Sequence, residues 1–109
     1  MITEEEVQKA LDYLRNHATV AAQATADRVY MMEYRKSLKA QLRQKADVKT
    51  EGAKDDYAYS HVQYLNHLDA IRVAVEADEK NRYLIKAATA KIEAWRTQEA
   101  NHRGQGRIG

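Results

Sequence analysis

The sequence predicts an all-α fold: a long antiparallel hairpin of two helices, coiled-coil-like, that assembles into an oligomer. Three observations predict it. The chain contains no proline, so no residue is barred from a helix interior. Three of its four glycines fall in the last six residues, and the fourth, Gly52, sits near the middle. Ala, Gln, Glu, Lys and Arg dominate and 31% of residues are charged, the usual mix of long helices and coiled coils. Two helix-permitting runs, about residues 3–46 and 53–101, flank the central glycine. The domain reading is a single hairpin over residues 1–101, with residues 102–109 as a flexible basic tail.

The first helix has a clear start. Thr3 caps the free N–H groups, and Glu6 three residues later completes a capping box. Glu4 and Glu5 suit the positive end of the helix dipole. The apolar series then runs Val7, Leu11, Leu14, Ala18, Ala21, Thr25, Val29 and Met32, mostly in steps of four and three, as a helix–helix seam requires. Tyr34, Leu38 and Leu42 continue the stripe. The small residues between 18 and 26 permit two backbones to approach closely.

The break is DVKTEGAKD, residues 47–55, where Gly52 is expected to reverse the chain through a positive φ. Asp55 or Asp56 is the expected cap of the second helix. Its seam runs Tyr64, Leu68, Ile71, Val75, then Asp78 and Arg82, then Ile85, Ile92 and Trp95. Asp78 and Arg82 are four apart and can pair along the helix, interrupting an apolar seam. The residues expected to be buried in the core or between copies are Leu11, Leu14, Met32, Leu68, Ile71, Val75 and Trp95. A single hairpin buries only one stripe per helix, so self-association is the natural remedy for a thin core.

Charge and chemistry narrow the function. Net charge is only +2, too small by itself to indicate nucleic acid. Its distribution says more, because residues 35–45 carry Arg35, Lys36, Lys39, Arg43 and Lys45 with no acid. Lys80, Arg82, Lys86 and Lys91 make a second basic run, and the tail adds Arg103 and Arg107. There is no Cys, which excludes disulfides and thiolate chemistry. No apolar run approaches a membrane span, and the acidic start lacks a signal peptide's pattern, so a cytoplasmic location is expected.

Catalysis finds little footing. His61 and His67, the best histidine pair, are six apart and point to different faces, so no metal is expected. Ser37 and Ser60 are isolated, and no glycine-rich loop precedes a helix. No cofactor and no enzymatic activity are expected. The seven tyrosines are more informative: Tyr30, Tyr34, Tyr57, Tyr59 and Tyr64 fall on either side of the turn, at the end that carries the basic run. Aromatics interleaved with Lys and Arg can stack bases while holding phosphates. The plainer alternative is that the rings pack in a helix interface with hydroxyls reaching water, and that the charges mark a solvated face. Trp95 reads most simply as an anchor closing the open end, and otherwise as an assembly contact or a stacking platform beside Arg96 and Arg103.

The ending KIEAWRTQEANHR resembles that of a group of short tailed-phage proteins, in a pattern carried here by Ile92, Glu93, Trp95, Arg96, Ala100, Asn101 and Arg103. The helical layout also resembles the UvsY-type recombination mediators of T-even phages. That resemblance implies a small helical protein that binds single-stranded DNA, forms ring-like oligomers and works with a recombinase or a single-strand-binding protein, in the host cytoplasm. The candidate DNA-binding residues are Arg35, Lys36, Lys39, Arg43, Lys45, Tyr34, Tyr59, Lys86, Lys91, Arg96, Arg103 and Arg107. The alternative is a structural or adaptor coiled-coil protein that uses the same seams for a protein partner.

Overall fold

Three helices, α1 (Glu4–Lys45), α2 (Glu51–Ser60) and α3 (Val62–Ile108), carry the chain. The computed structural model describes residues 1–108, with side chains described through residue 106. No strand occurs among the described residues. The all-α expectation holds, but the second helix is two helices, divided at His61.

Local bonds explain each boundary. At the start of α1, the Thr3 hydroxyl accepts from the Glu6 N–H at 3.2 Å. The Glu6 carboxylate accepts in return from the Thr3 N–H at 3.3 Å, so the capping box forms as expected. The turn after Lys45 does not use Gly52. No glycine among the described residues has a positive φ, and Gly52 lies in the first turn of α2 with open space where a Cβ would stand. The cap is Thr50, rather than Asp55 or Asp56: its backbone is extended and its hydroxyl accepts from the Ala53 N–H at 3.1 Å. Thr50→Ala is therefore expected to cost about 1 kcal/mol. Gly52→Ala is expected to stabilise by about 0.4–1 kcal/mol, through the unfolded chain. Thermal melts of the two variants check both signs.

His61 makes the second break by serving two helices. Its backbone is extended (φ −68°, ψ 140°), and its N–H donates to the Ala58 carbonyl. Its Nδ1 accepts from the Gln63 N–H at 3.0 Å, and its carbonyl accepts from the Leu65 N–H at 3.1 Å. One residue thus closes α2 and caps α3. At the other end α3 continues to Ile108, in place of the flexible tail expected beyond Asn101. Gly104 and Gly106 sit inside this helix, since no proline stops it.

The helices form two compact units, each built of antiparallel segments. One unit comprises Met1–Ala22 with Lys80–Gly109. There the Ile2 N–H donates to the Gln98 side chain at 3.0 Å, and the Gln98 amide returns a bond to the Ile2 carbonyl at 2.8 Å. Val7 and Ala10 are buried, and Leu14, Ile85, Ile92 and Trp95 are half-buried. The Tyr13 ring stacks on His17 at 4.2 Å between centroids. The other unit is Gln23–Glu79. Its core is Leu38, Leu42, Ala58 and Tyr64, where the end of α1 meets α2 and the start of α3.

The packed face of α1 departs from the expected one along part of its length. Its sheltered row is Val7, Ala10, Leu14, Ala21, Ala24, Arg28, Met31, Leu38 and Leu42. The expected row shares Val7, Leu14, Ala21, Leu38 and Leu42, but has Leu11, Thr25 and Met32 where the fold takes Ala10, Ala24 and Met31. Each differs by one position, about 100° around the helix. Leu11, Met32 and Leu68, expected to be buried, are exposed in the single chain, while Ile71 and Val75 are half-buried.

A buried polar layer crosses from α3 to this part of α1. Asp78 is only 3% exposed. It accepts from the Thr25 hydroxyl at 2.6 Å and from the Arg28 Nε at 2.5 Å.

Candidate nucleic-acid interface

The basic run of α1 and the aromatic residues near the break meet in the Gln23–Glu79 unit. Arg35, Lys36, Lys39 and Arg43 lie along the last turns of α1. The buried Ala58 holds α2 close against that stretch. An open recess of about 330 Å³ is lined by Arg35, Lys36, Lys39, Tyr59 and Tyr64. A second of about 380 Å³ is lined by Lys36, Lys39, Ala40, Arg43, Gln44 and Lys54. Lys36 and Lys39 belong to both, so cations border a continuous stretch of surface.

The local electrostatics are mixed. Lys39 donates to the Tyr59 hydroxyl at 2.6 Å, and its ammonium lies 4.5 Å from the centre of that ring. It also stands 3.5 Å from Asp55. The bond to Tyr59 and the charge of Asp55 hold the Lys39 ammonium above its ordinary value of 10.5, against the opposing pull of burial. Its contribution is therefore fully present below the ordinary lysine value and is lost as pH rises past it, through the raised value. Arg43 binds both Asp55 and Glu51. Burial pulls its guanidinium down, but these two carboxylates outweigh it and the net displacement is upward. Lys36 lies 3.3 Å from Glu33 and Lys54 lies 3.6 Å from Glu51. Arg35 is exposed and, unlike the other cations lining the two recesses, has no ion pair among the described residues, which leaves it open to an incoming anion.

The rings divide into two groups. Tyr59 and Tyr64 meet edge to face at 5.3 Å, with Tyr59 exposed and Tyr64 buried. Tyr34 is apart from the recess: its ring meets His67 at 5.4 Å and stacks with Tyr30 at 6.1 Å. His67 in turn reaches the Met31 carbonyl at 2.7 Å. Of the expected site, the fold thus brings together Arg35, Lys36, Lys39, Arg43 and Tyr59, and leaves Tyr34 aside. Lys45 is exposed at the end of α1. Lys86, Lys91, Arg96 and Arg103 are exposed in the other unit, with Lys86 5.8 Å from the Tyr83 ring centre. The Arg107 side chain lies outside the described residues.

Sequence reasoning misses three parts of this site. Lys54 sits in the segment expected to be a loop, yet it lines a recess from the first turn of α2. Tyr64, expected in the seam and among the tyrosines near the basic run but not among the DNA-binding residues, forms the recess wall. Asp55, expected as a helix cap, instead neutralises Lys39 and Arg43. Its place four residues after Glu51 is the available signal, since that spacing puts two acids on one helix face.

No three His, Asp or Glu side chains converge as a metal site among the described residues. No helix of the described residues is long and apolar enough to cross a membrane. Comparison of the chain with known protein families, with characterised proteins and with solved structures finds no match.

Proposed function

We propose that this protein is a non-enzymatic, recombination-mediator-like accessory of phage recombination or replication that binds single-stranded DNA and self-associates. It would act in the host cytoplasm beside a recombinase or a single-strand-binding protein. The observation that carries the reading is the recess lined by Arg35, Lys36 and Lys39 together with Tyr59 and Tyr64. Cations beside an exposed aromatic face suit an unpaired strand, whose phosphates and base faces are both accessible. The resemblance of the ending around Trp95 and Arg96 supplies the phage context.

In this mechanism Arg35 and Lys36 hold phosphates, and Tyr59 offers its ring to a base. Lys39 and Arg43 position the site, since their charges are already shared with Asp55. Lys45, Lys86, Lys91, Arg96, Arg103 and Arg107 are secondary contacts along the strand. The adaptor reading has one observation in its favour: Val29, Met32, Leu65 and Leu68 are large, apolar and exposed.

Fluorescence anisotropy with a labelled oligonucleotide separates the two. Binding is expected at low salt, without strong sequence preference, and weakening as salt rises. Arg35→Gln with Lys36→Gln should flatten the log–log salt slope by about 0.7 for each phosphate that the variant no longer holds. Tyr59→Ala should cost about 1–3 kcal/mol of binding if its ring stacks on a base. A wild-type protein that fails to bind at low salt leaves the adaptor reading in place of this one.

A further inference from the structure

We propose that Glu51 and Asp55 of α2 set the strand preference of the candidate site, by holding Lys39 and Arg43 away from phosphates so that binding depends on the Tyr59 ring. The inference rests on the single-stranded DNA reading above. Two rows of side chains face one another in the Gln23–Glu79 unit. Arg35, Lys39 and Arg43 on α1 are spaced by four, and so are Glu51, Asp55 and Tyr59 on α2. That spacing places each set along one helix face.

The contacts join the rows in antiparallel order. The Glu51 carboxylate binds Arg43, and the Glu51 carbonyl accepts from the same guanidinium at 3.2 Å. Asp55 binds Arg43 and stands 3.5 Å from Lys39. The Tyr59 hydroxyl accepts from Lys39 at 2.6 Å, and its ring lines the same recess as Arg35. The acids therefore stop one step short of Arg35, and a tyrosine takes the place where a third carboxylate would stand. One end of the cation row, at Arg43, is neutralised. The other end, at Arg35, is open beside an exposed ring.

This division bears on which nucleic acid the surface takes. A phosphate that reaches Lys39 or Arg43 must displace a carboxylate already bound there. Each phosphate held releases more counterion from a duplex than from a single strand, with salt slopes of about 0.9 against about 0.7. Every cation freed on this surface thus favours the duplex. The Tyr59 ring favours the opposite, because only an unpaired base offers its face for stacking. Keeping the phosphate contribution small leaves the ring to decide. The two carboxylates act as an element set against the wrong partner, while Arg35 and Tyr59 attract the right one.

Fluorescence anisotropy with a labelled oligonucleotide, alone and annealed to its complement, tests the proposal. Glu51→Gln with Asp55→Asn is expected to bind both forms more tightly than the wild type. Its salt slope should steepen by about 0.7 per freed cation on the single strand and about 0.9 on the duplex. At 0.1 M salt, two freed cations should shift the preference toward the duplex by about 2.5-fold. Glu4→Gln with Glu93→Gln changes the net charge equally, on exposed residues of the other unit, and should leave the preference as in the wild type. If the wild type binds and the Glu51→Gln/Asp55→Asn protein matches it in affinity and slope, the proposal falls and the DNA reading stands. The proposal also falls if the two forms gain equally, or if the control pair shifts the preference as much. Binding by neither protein at low salt overturns the DNA reading and this inference together. Binding by the variant alone upholds the competition and overturns the DNA reading for the native chain. Should the double variant lose helicity by circular dichroism, Glu51→Gln alone decides, since that side chain is 75% exposed. Its slope should steepen by a smaller amount, more on the duplex than on the single strand, and no steepening overturns the proposal.

Discussion

Leu42→Ala is expected to destabilise the protein by about 2–5 kcal/mol, the range for removing a large buried aliphatic side chain. Leu42 is 1% exposed, the largest fully buried side chain of the described residues. It packs with Leu38, Ala58 and Tyr64 where all three helices meet. Total stabilities of about 5–15 kcal/mol make such a loss severe. The effect should extend to the candidate site, because the same cluster holds α2 against α1 and so Tyr59 against Lys39. Urea denaturation followed by circular dichroism measures it. Leu11→Ala is the comparison: Leu11 is exposed in the single chain, and its truncation should matter far less to that chain's own fold. Equal losses in the two variants would contradict the packing described for Leu42.

How much of this is legible in the sequence depends on the range of the interaction. The helical class, the capping box of Thr3 and Glu6, and the position of the main break are local properties, and all three are readable. The packed face is not. Apolar residues occupy two adjacent rows of α1, so Leu11 and Ala10, or Met32 and Met31, are equally acceptable to a periodicity argument. The contacts that decide between them are long-range: Asp78 on α3, for example, bonds Thr25 and Arg28 about fifty positions away in sequence. A local reading offers only Arg82, four residues along.

The break at His61 is hidden for a similar reason. Nothing marks histidine as a boundary until its ring and its carbonyl are seen to serve α3 while its N–H serves α2. Gly52 misleads in the opposite direction, since a glycine near a break is a turn signal even when Thr50 does the capping. In the candidate site, the basic run is visible as an acid-free stretch of α1. Its partial neutralisation is not, because Asp55 and Glu51 reach Arg43 only after α2 folds back.

Asp78→Ala is expected to cost about 3 kcal/mol, the lower part of the range for removing one partner of a buried ion pair. The lower part applies because the Arg28 side chain is 24% exposed and can recover some hydration. The loss comes from leaving a partly buried guanidinium without its carboxylate, not from a large intrinsic strength of the pair. Replacing both charges together, Arg28→Leu with Asp78→Leu, is accordingly expected to be near neutral or stabilising by about 1–4 kcal/mol. The double variant should differ in another respect. Ala24, Ala70 and Ala74 give the seam of this unit little shape to fix its alignment, so the polar layer sets the register between α1 and α3 there. Without it the helices can slide, and the amide spectrum should show more than one set of resonances for residues 23–32 and 70–79. Chemical denaturation supplies the stability half of the test, and a heteronuclear correlation spectrum supplies the register half. A stable double variant with one sharp set of resonances would mean that apolar packing alone fixes the alignment. In that case the polar layer would have no role in setting the register between α1 and α3.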